Sequence, residues 1–204
     1  LFNVRGETQK RINDSKEISE IKKIMGLESG KLYQNVNELR YGKIVFMTDQ
    51  DLDGSHIKGL CINFIAYLWP SLLLIPGFIG FMNTPILKAS KANKVIQFYT
   101  QGDYEQWKEQ NEDGKGYKVK YYKGLGTSTS KEFKEYFKEK KVVSFIHDTN
   151  DDQRIDQIFN KTKADERKNW LSQYDRKRYL DVQTSQVSYS KFIDDELIHF
   201  SKYD

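Results

Sequence analysis

The sequence has one cysteine, no apolar run long enough to cross a bilayer and little excess charge of either sign. A single cysteine, Cys61, cannot form an internal disulfide, which favours a reducing compartment. Residues 60–75 are apolar, but Asn63 and Pro70 interrupt them, and they are shorter than the about 20 residues of a spanning helix. The net charge of +4 permits nucleic-acid binding without demonstrating it, so local clusters must decide.

Secretory signals, internal repeats and low-complexity tracts are also missing from the sequence. The length of 204 residues fits one large domain, or one domain with an appendage, and 38% hydrophobic residues suffice for a core. Leu1 is not an initiator methionine, and the first residues read as the middle of a domain. We therefore expect the chain to be an excised part of a longer protein.

The most informative stretch is residues 43–60. Its apolar run 44–47 (IVFM) is typical of a strand buried on both faces of a parallel sheet. If the extended backbone continues, Asp49, Asp51 and Asp53 project from one face, because strand side chains alternate. The pattern predicts a cluster of carboxylates at the carboxyl end of a strand, where open α/β sheets bind ligands.

A buried helix is expected directly after these acids. Gly54 permits a sharp exit from the strand, and Ser55 or His56 would open the helix over residues 57–69, which Pro70 ends. The helix N-terminus would then point back at the acids, where its partial positive charge favours anionic groups.

Three close carboxylates repel one another unless a cation lies between them, and oxygen-only ligands suit a hard cation such as Mg²⁺. Mn²⁺ or Ca²⁺ would be substitutes. A calcium-binding EF-hand loop fits the spacing of Asp49, Asp51 and Asp53, but its twelfth position requires Glu and holds Leu60 here. The preceding segment also reads as a strand rather than a helix, so the EF-hand interpretation fails.

A second motif covers residues 120–129 (KYYKGLGTST). Gly124 and Gly126 let the backbone approach a phosphate closely, and Thr129 with Glu132 predicts a capping box for the next helix. The Gly-Lys-Ser/Thr ending of a Walker loop is missing, so we do not expect this chain to bind ATP.

The remaining pattern predicts an α/β chain. A helix over residues 14–25 would be capped by Asp14 with Glu17, and an amphipathic helix would carry Tyr104 and Trp107 on one side. From residue 151 the chain turns helical and highly charged, and residues 189–200 form an amphipathic helix. Further strands are predicted over residues 78–82, 86–89, 94–99, 118–122 and 142–147.

Residues 47–60 (MTDQDLDGSHIKGL) resemble the acidic motif of the TOPRIM domain in type IIA DNA topoisomerases, in its eukaryotic form. Residues 120–129 resemble the downstream strand and glycine loop of that family, and residues 3–5 (NVR) resemble the segment that follows its Pro-Leu-Arg-Gly-Lys sequence. The three occur in the family's order and cover most of the chain.

The resemblance implies a Rossmann-like TOPRIM fold, a parallel sheet flanked by helices with its first strand missing. Residues 1–141 would form the TOPRIM region, with a small α+β hairpin insertion at about 86–116. Residues 142–204 would form a helical connector towards the DNA-cleaving winged-helix domain.

The resemblance also implies a function. The chain would be the metal-binding part of an ATP-dependent type II topoisomerase, which passes one duplex through a transient double-strand break made by phosphotyrosyl transesterification. Asp49 would serve both metal positions, Asp51 the second, and Asp53 would support them. The expected DNA contacts are Asn3, His56, Lys58, Lys123, Arg167 and Lys168.

The implied partners are double-stranded DNA and a second copy of the whole protein in a homodimer, with no membrane and a nuclear location. ATP would bind only a domain outside this chain. The nucleophilic tyrosine and the TOPRIM glutamate have no counterpart in this sequence, and Tyr203 does not match that tyrosine. We therefore expect the chain alone neither to cleave DNA nor to hydrolyse ATP.

Other interpretations stay open for single residues and for the whole. Asn3 would otherwise form a turn, His56 would bond neighbouring backbone, and Lys58 would be an ordinary exposed lysine. A phosphatase-like enzyme would use Asp49 as a phosphorylated nucleophile. The closest alternatives are a TOPRIM nuclease or primase, and a DNA-docking module whose acids only tune electrostatics.

Overall fold

The computed structural model describes residues 1–203, whose strands form two sheets. The sheets have the orders β1-β2-β6-β7 and β4-β3-β5. The strands are β1 (Ile44–Phe46), β2 (Ile79–Met82), β3 (Leu87–Lys91), β4 (Lys94–Phe98), β5 (Lys118–Tyr121), β6 (Val142–Ile146) and β7 (Gln186–Ser188).

Helices pack against both sheets. A π-helical turn, Ile193–Leu197, joins the last two helices into one continuous segment. The α-helices are α1 (Gln9–Asp14), α2 (Lys16–Met25), α3 (Leu52–Leu68), α4 (Pro70–Leu73), α5 (Gln101–Gln110), α6 (Ser130–Glu139), α7 (Asp151–Phe159), α8 (Ala164–Ser172), α9 (Tyr189–Phe192) and α10 (Ile198–Tyr203). Within residues 1–203, no helix is both long and apolar enough to cross a bilayer.

The main sheet is mixed. β1 pairs parallel with β2, β2 antiparallel with β6, and β6 parallel with β7. The predicted α/β class with helices flanking a sheet is confirmed, although only two of these pairings are parallel. The expectation that β1 is buried on both faces is wrong: it lies at the sheet edge, and Val45 is 37% exposed.

The core of the main sheet is aromatic. Phe145 stacks on Tyr189 at a centroid distance of 4.7 Å, and Phe81 and Phe192 pack against Phe145. Helix α3 contributes a run of buried apolar side chains to the same core, including Ile62. Burying these rings and aliphatic groups removes apolar area from water at about 25 cal/mol per Å², the main force that holds the layers together.

The smaller sheet has its own core. Ala89 of β3 and Phe98 of β4 are buried with Tyr104 of α5, while Trp107 packs on them from the same helix. This confirms the prediction that Tyr104 and Trp107 lie on the same side of an amphipathic helix. β5 belongs to this sheet through its pairing with β3, so the sheet extends beyond the predicted insertion at about 86–116.

Two helix starts differ from expectation. The predicted helix over residues 14–25 is two helices, because Ser15 rather than Asp14 caps α2 by accepting a hydrogen bond from the Ile18 N–H. Gly26 ends α2 in the left-handed conformation. The helix expected at residue 57 begins at Leu52, which moves Asp53 from a strand extension into a first helical turn.

Candidate metal and nucleic-acid site

The acidic motif leaves the carboxyl end of β1, and its first acid is held by the glycine loop. The Asp49 carboxylate Oδ1 accepts a hydrogen bond of 2.6 Å from the Leu125 backbone N–H. A Cβ added to Gly124 would lie 2.8 Å from Asp49 Oδ2, closer than real Cβ contacts come. Glycine at position 124 therefore lets the loop approach the Asp49 carboxylate. The sequence motif had predicted that the group approached by this glycine is a phosphate.

The second acid caps the following helix. Asp51 has extended backbone, and its Oδ1 accepts a 2.7 Å hydrogen bond from the Gly54 N–H at the start of α3. A Cβ at Gly54 would overlap the Asp49 carbonyl oxygen, so this turn requires glycine. The predicted projection of all three acids from one strand face is wrong, because N-capping by Asp51 starts the helix at once and puts Asp53 in its first turn.

Asp51 and Asp53 are exposed and open into a cavity of about 410 Å³. Phe200 and Tyr203 of α10 form the opposite wall of this cavity. Phe200 also stacks on His56 at a centroid distance of 4.0 Å, which fixes α10 against the first turns of α3. The sequence offered no sign of this wall, since α10 follows the acids by about 150 residues.

The donor chemistry suits Mg²⁺, but residues 1–203 bring together no group of three or more His, Cys, Asp or Glu side chains able to hold a metal. One oxygen each of Asp49 and Asp51 is engaged by a backbone N–H. Their carboxylates still fit an ion that typically uses one or two protein carboxylates together with water and substrate phosphate. Cys61 would be a chemically different metal ligand, but it is buried. Burial raises the pKa of its thiol to about 11, which leaves the thiol protonated at neutral pH.

Lys58 does not reach the surface, and its predicted contact with DNA phosphate is corrected. The side chain is buried in α3, where its Nζ donates to Glu196 Oε1 and lies 4.6 Å from the Phe81 ring centroid. Ser55 Oγ donates to the same carboxylate oxygen at 2.7 Å. The pair joins α3 to the π-helical turn, because a buried charge requires a partner and Glu196 supplies it.

Asn3 is largely engaged inside the protein. Its Nδ2 donates to the Phe159 carbonyl at 2.7 Å, and its Oδ1 accepts from the Arg5 N–H and from Asn63 Nδ2. Arg5 in turn pairs with Asp156 at 2.8 Å. Burial lowers the pKa of Arg5 while the Asp156 charge opposes that effect. These contacts fasten the first residues of the chain to α3 and α7.

A second cavity, of about 320 Å³, brings three of the predicted DNA-contacting residues to one place. Asn3, His56 and Arg167 line it, together with Lys161 and the aromatic ring of Trp170. Lys161 was not predicted to lie here, because a single lysine outside any motif carries no signal in the sequence. Its Nζ contacts Glu7 at 2.7 Å.

Arg167, which lines this cavity, donates to the Asn160 carbonyl. Lys123 and Lys168 are not among the lining residues, and Lys168 is exposed and pairs with Asp165 at 3.3 Å. Lys123 is exposed in the glycine loop, just before Gly124.

Residues 176–178 (RKR) are a dense basic segment that includes one structural contact. Arg178 pairs with the buried Asp195 carboxylate, which also accepts from Lys191 at 2.5 Å. His199 lies beside them, its Nε2 2.7 Å from the Arg178 carbonyl oxygen and its ring stacked on Tyr179. This segment therefore anchors the C-terminal helices.

Comparisons with known proteins agree with the motifs. A family profile described as the C-terminal associated domain of TOPRIM matches residues 82–204. The whole chain aligns at 49% identity with DNA topoisomerase 2 of Arabidopsis thaliana and at 46% with that of Plasmodium falciparum. The chain spans only 14% and 15% of the lengths of those relatives.

A solved structure is similar over the same range. The crystal structure of the Plasmodium falciparum topoisomerase II DNA-binding, cleavage and re-ligation domain matches with a TM-score of 0.94 and 44% identity. The match covers 100% of this chain and 28% of that one. The resemblance stated for residues 47–60 and 120–129 is thereby confirmed.

Proposed function

The chain belongs to the family of the C-terminal associated domain of TOPRIM, in the form found in eukaryotic type II DNA topoisomerases, and we propose that it is the metal-binding part of a DNA cleavage and religation core. The observation that carries this proposal is the hydrogen bond between Asp49 and the Leu125 N–H. It fixes one carboxylate at the end of β1, next to Asp51 and Asp53 at the start of α3.

Asp49 and Asp51 would hold Mg²⁺, with Asp53 bonding water in its outer shell; when bound, the ion supplies positive charge for the phosphoryl and leaving oxygens. The chain's own residues prepare that site. The Leu125 N–H orients Asp49, and the Gly54 N–H orients Asp51. Mn²⁺ or Ca²⁺ would substitute, because both are hard cations that accept oxygen ligands.

The DNA backbone would approach across the acidic turn. Lys123 lies on one side of it, and Arg167 and Lys168 of α8 supply further positive charge, with His56 near the second cavity. Cationic side chains attract phosphates and release counterions, independent of base sequence. Asn3 would contribute its amide edge at the cavity rim.

The activity of the whole protein is part of the proposal. We infer that the longer protein passes one duplex through a double-strand break in another, acts as a homodimer in the nucleus and uses ATP in a separate domain. The attacking tyrosine and a further metal-binding glutamate would come from outside this sequence. The chain alone would then be inactive in plasmid relaxation, and activity from it alone would contradict this.

Plasmid relaxation by the full-length protein tests the function. Asp49→Ala and Asp51→Ala should each reduce the rate at least about 100-fold, because losing several kcal/mol of charge stabilisation costs a factor of ten per 1.4 kcal/mol. Asp103→Ala, an exposed acid of α5 outside the site, is the matched control. Equal rates in all three would refute the assignment and favour a DNA-docking module.

A further inference from the structure

One carboxylate, that of Glu132 in α6, binds both ends of the glycine loop. Before the loop, the Tyr122 hydroxyl donates to Oε1, and Lys120 Nζ donates to both oxygens at 3.1 and 2.9 Å. After the loop, the Thr129 N–H donates to Oε2 at 2.7 Å, and its hydroxyl donates to the same oxygen at 3.0 Å. Glu132 thus closes the segment 123–128 like a clasp.

The segment between these two ends is itself compact. The Thr127 N–H and hydroxyl both donate to the Gly124 carbonyl, at 3.0 and 2.6 Å, and the Ser128 N–H donates to the Leu125 carbonyl at 3.1 Å. These bonds make a 3₁₀ turn over Leu125–Thr127. A short turn with fixed ends has little freedom, so the direction of the Leu125 N–H depends on where those ends are held.

We propose that Glu132 is a positioning residue for Asp49: by fixing both ends of the glycine loop, it aims the Leu125 N–H at the Asp49 carboxylate. This inference rests on the proposed role of Asp49 as a metal ligand. Glu132 would act only through the loop, because its carboxylate bonds Lys120, Tyr122 and Thr129 and makes no hydrogen bond to Asp49.

The surroundings of Glu132 fit a permanently charged clasp. Its side chain is 15% exposed, and a second cation, the buried Lys88 of β3, lies 3.8 Å from Oε1. Burial raises the pKa of Glu132, but hydrogen bonds from Thr129, Tyr122 and Lys120 outweigh it and bring the pKa to about 2. Burial and the Glu132 hydrogen bond raise the pKa of Tyr122, so its hydroxyl stays protonated and can donate.

The simpler alternative is that Glu132 only caps α6. Its reciprocal bonds with Thr129 do form a capping box, which by itself stabilises the first turn of a helix. A capping box does not involve Tyr122 or Lys120, which precede the loop. The two roles therefore predict different consequences for the loop and for the body of the helix.

Hydrogen–deuterium exchange of the metal-free, full-length protein separates these roles. In Glu132→Gln, an amide group replaces one acceptor oxygen and releases one end of the loop, so the amides of 124–128 should exchange about tenfold faster. Glu139→Gln, an exposed acid of the same helix with the same charge change, should leave them unchanged. Loop exchange equal in the two variants would overturn the proposal, as would an increase confined to residues 134–139.

A second variant leaves the helix cap intact. Tyr122→Phe removes one hydrogen bond before the loop and none after it, so loop exchange should rise at least threefold while exchange in α6 stays unchanged. The Mg²⁺ concentration for half-maximal DNA cleavage should rise by a similar factor, with less change in the rate at saturating Mg²⁺. A lower saturated rate at an unchanged Mg²⁺ requirement would contradict positioning.

The positioning role and the proposed function can fail separately. If Asp49→Ala cleaves DNA normally, the proposed function fails, whatever the loop does. If Glu132→Gln and Tyr122→Phe both leave the loop amides protected, the positioning role fails, while Asp49 keeps its own test.

Discussion

The Asp49 carboxylate and the Leu125 backbone N–H are 76 residues apart in the chain and 2.6 Å apart in space. This one bond joins the acidic turn after β1 to the glycine loop before α6. The two motifs that stand out in the sequence are therefore parts of one site. The same hydrogen bond explains why position 124 is glycine, since any side chain there would overlap the Asp49 carboxylate.

Alanine should destabilise the fold at Gly124 and be tolerated at Gly126. Gly124→Ala places a Cβ 2.8 Å from Asp49 Oδ2, whereas a Cβ at Gly126 meets nothing within 4 Å. Neither glycine has a positive φ, so backbone strain does not differ between them. Gly124→Ala should cost about 1–3 kcal/mol of unfolding free energy, as overpacking does, and shift the Leu125 amide resonance.

Urea unfolding and NMR of the two alanine variants provide the measurement, with Gly126→Ala as the control. An unshifted Leu125 amide in Gly124→Ala would show that the loop does not need to approach Asp49 this closely.

Replacing Lys58 should destabilise the fold rather than weaken DNA binding. Lys58→Met leaves Glu196 without its cation in a mostly buried place, and breaking such a pair costs about 3–5 kcal/mol. Lys16→Met, in which an 84% exposed side chain is changed, should alter the free energy of unfolding by less than about 0.5 kcal/mol. Unchanged stability with a weaker, less salt-dependent DNA complex would restore the phosphate contact that the sequence predicted.

The two basic residues of α8 should contribute to DNA binding through charge alone. Arg167→Gln and Lys168→Gln should each reduce the slope of log K against log salt by about 0.9, as one lost phosphate contact does, for any DNA sequence. Lys138→Gln, exposed at the far end of α6, is the control and should leave the slope unchanged. Fluorescence anisotropy across a salt series provides the slopes, and three equal slopes would remove α8 from the interface.

The contacts of Glu132 should stop stabilising the folded state in acid. Its pKa in the folded chain, about 2, lies below the ordinary 4.5, so the native state favours the ionised form. The resulting stability is fully present above pH 4.5 and is lost as the pH falls through that value towards 2. The difference in free energy of unfolding between the wild type and Glu132→Gln, measured with urea, should therefore narrow over this window. A difference that does not change with pH would contradict this role of Glu132.

The sequence predicted strands and helix starts correctly where the signal lies within a few neighbouring residues. The strands after residue 78 and the capping box of Thr129 with Glu132 follow from alternation and from side chains that bond their own backbone. β7 was missed because its three residues, QVS, contain a single apolar side chain and so show neither an apolar run nor an alternation. The start of α3 differs from the prediction because Asp51 fits both an alternating strand and a helix N-cap, and its bond with the Gly54 N–H starts the helix.

Long-range partners account for the remaining differences. Lys58 precedes Glu196 by 138 residues, and nothing near Lys58 distinguishes a buried ion pair from an exposed lysine. Phe200 and Tyr203 face the acids only because the C-terminal helices return to α3. The division at residue 141 and the DNA contacts remain predictions, as does the metal.

Anomalous scattering from crystals of the full-length protein, grown with DNA and soaked in Mn²⁺, tests the central claim directly. The account predicts a peak beside the carboxylates of Asp49 and Asp51, with Leu125 still bonded to Asp49. Ordered carboxylates with no anomalous peak between them and the DNA phosphate, or a peak held by other residues, would contradict it.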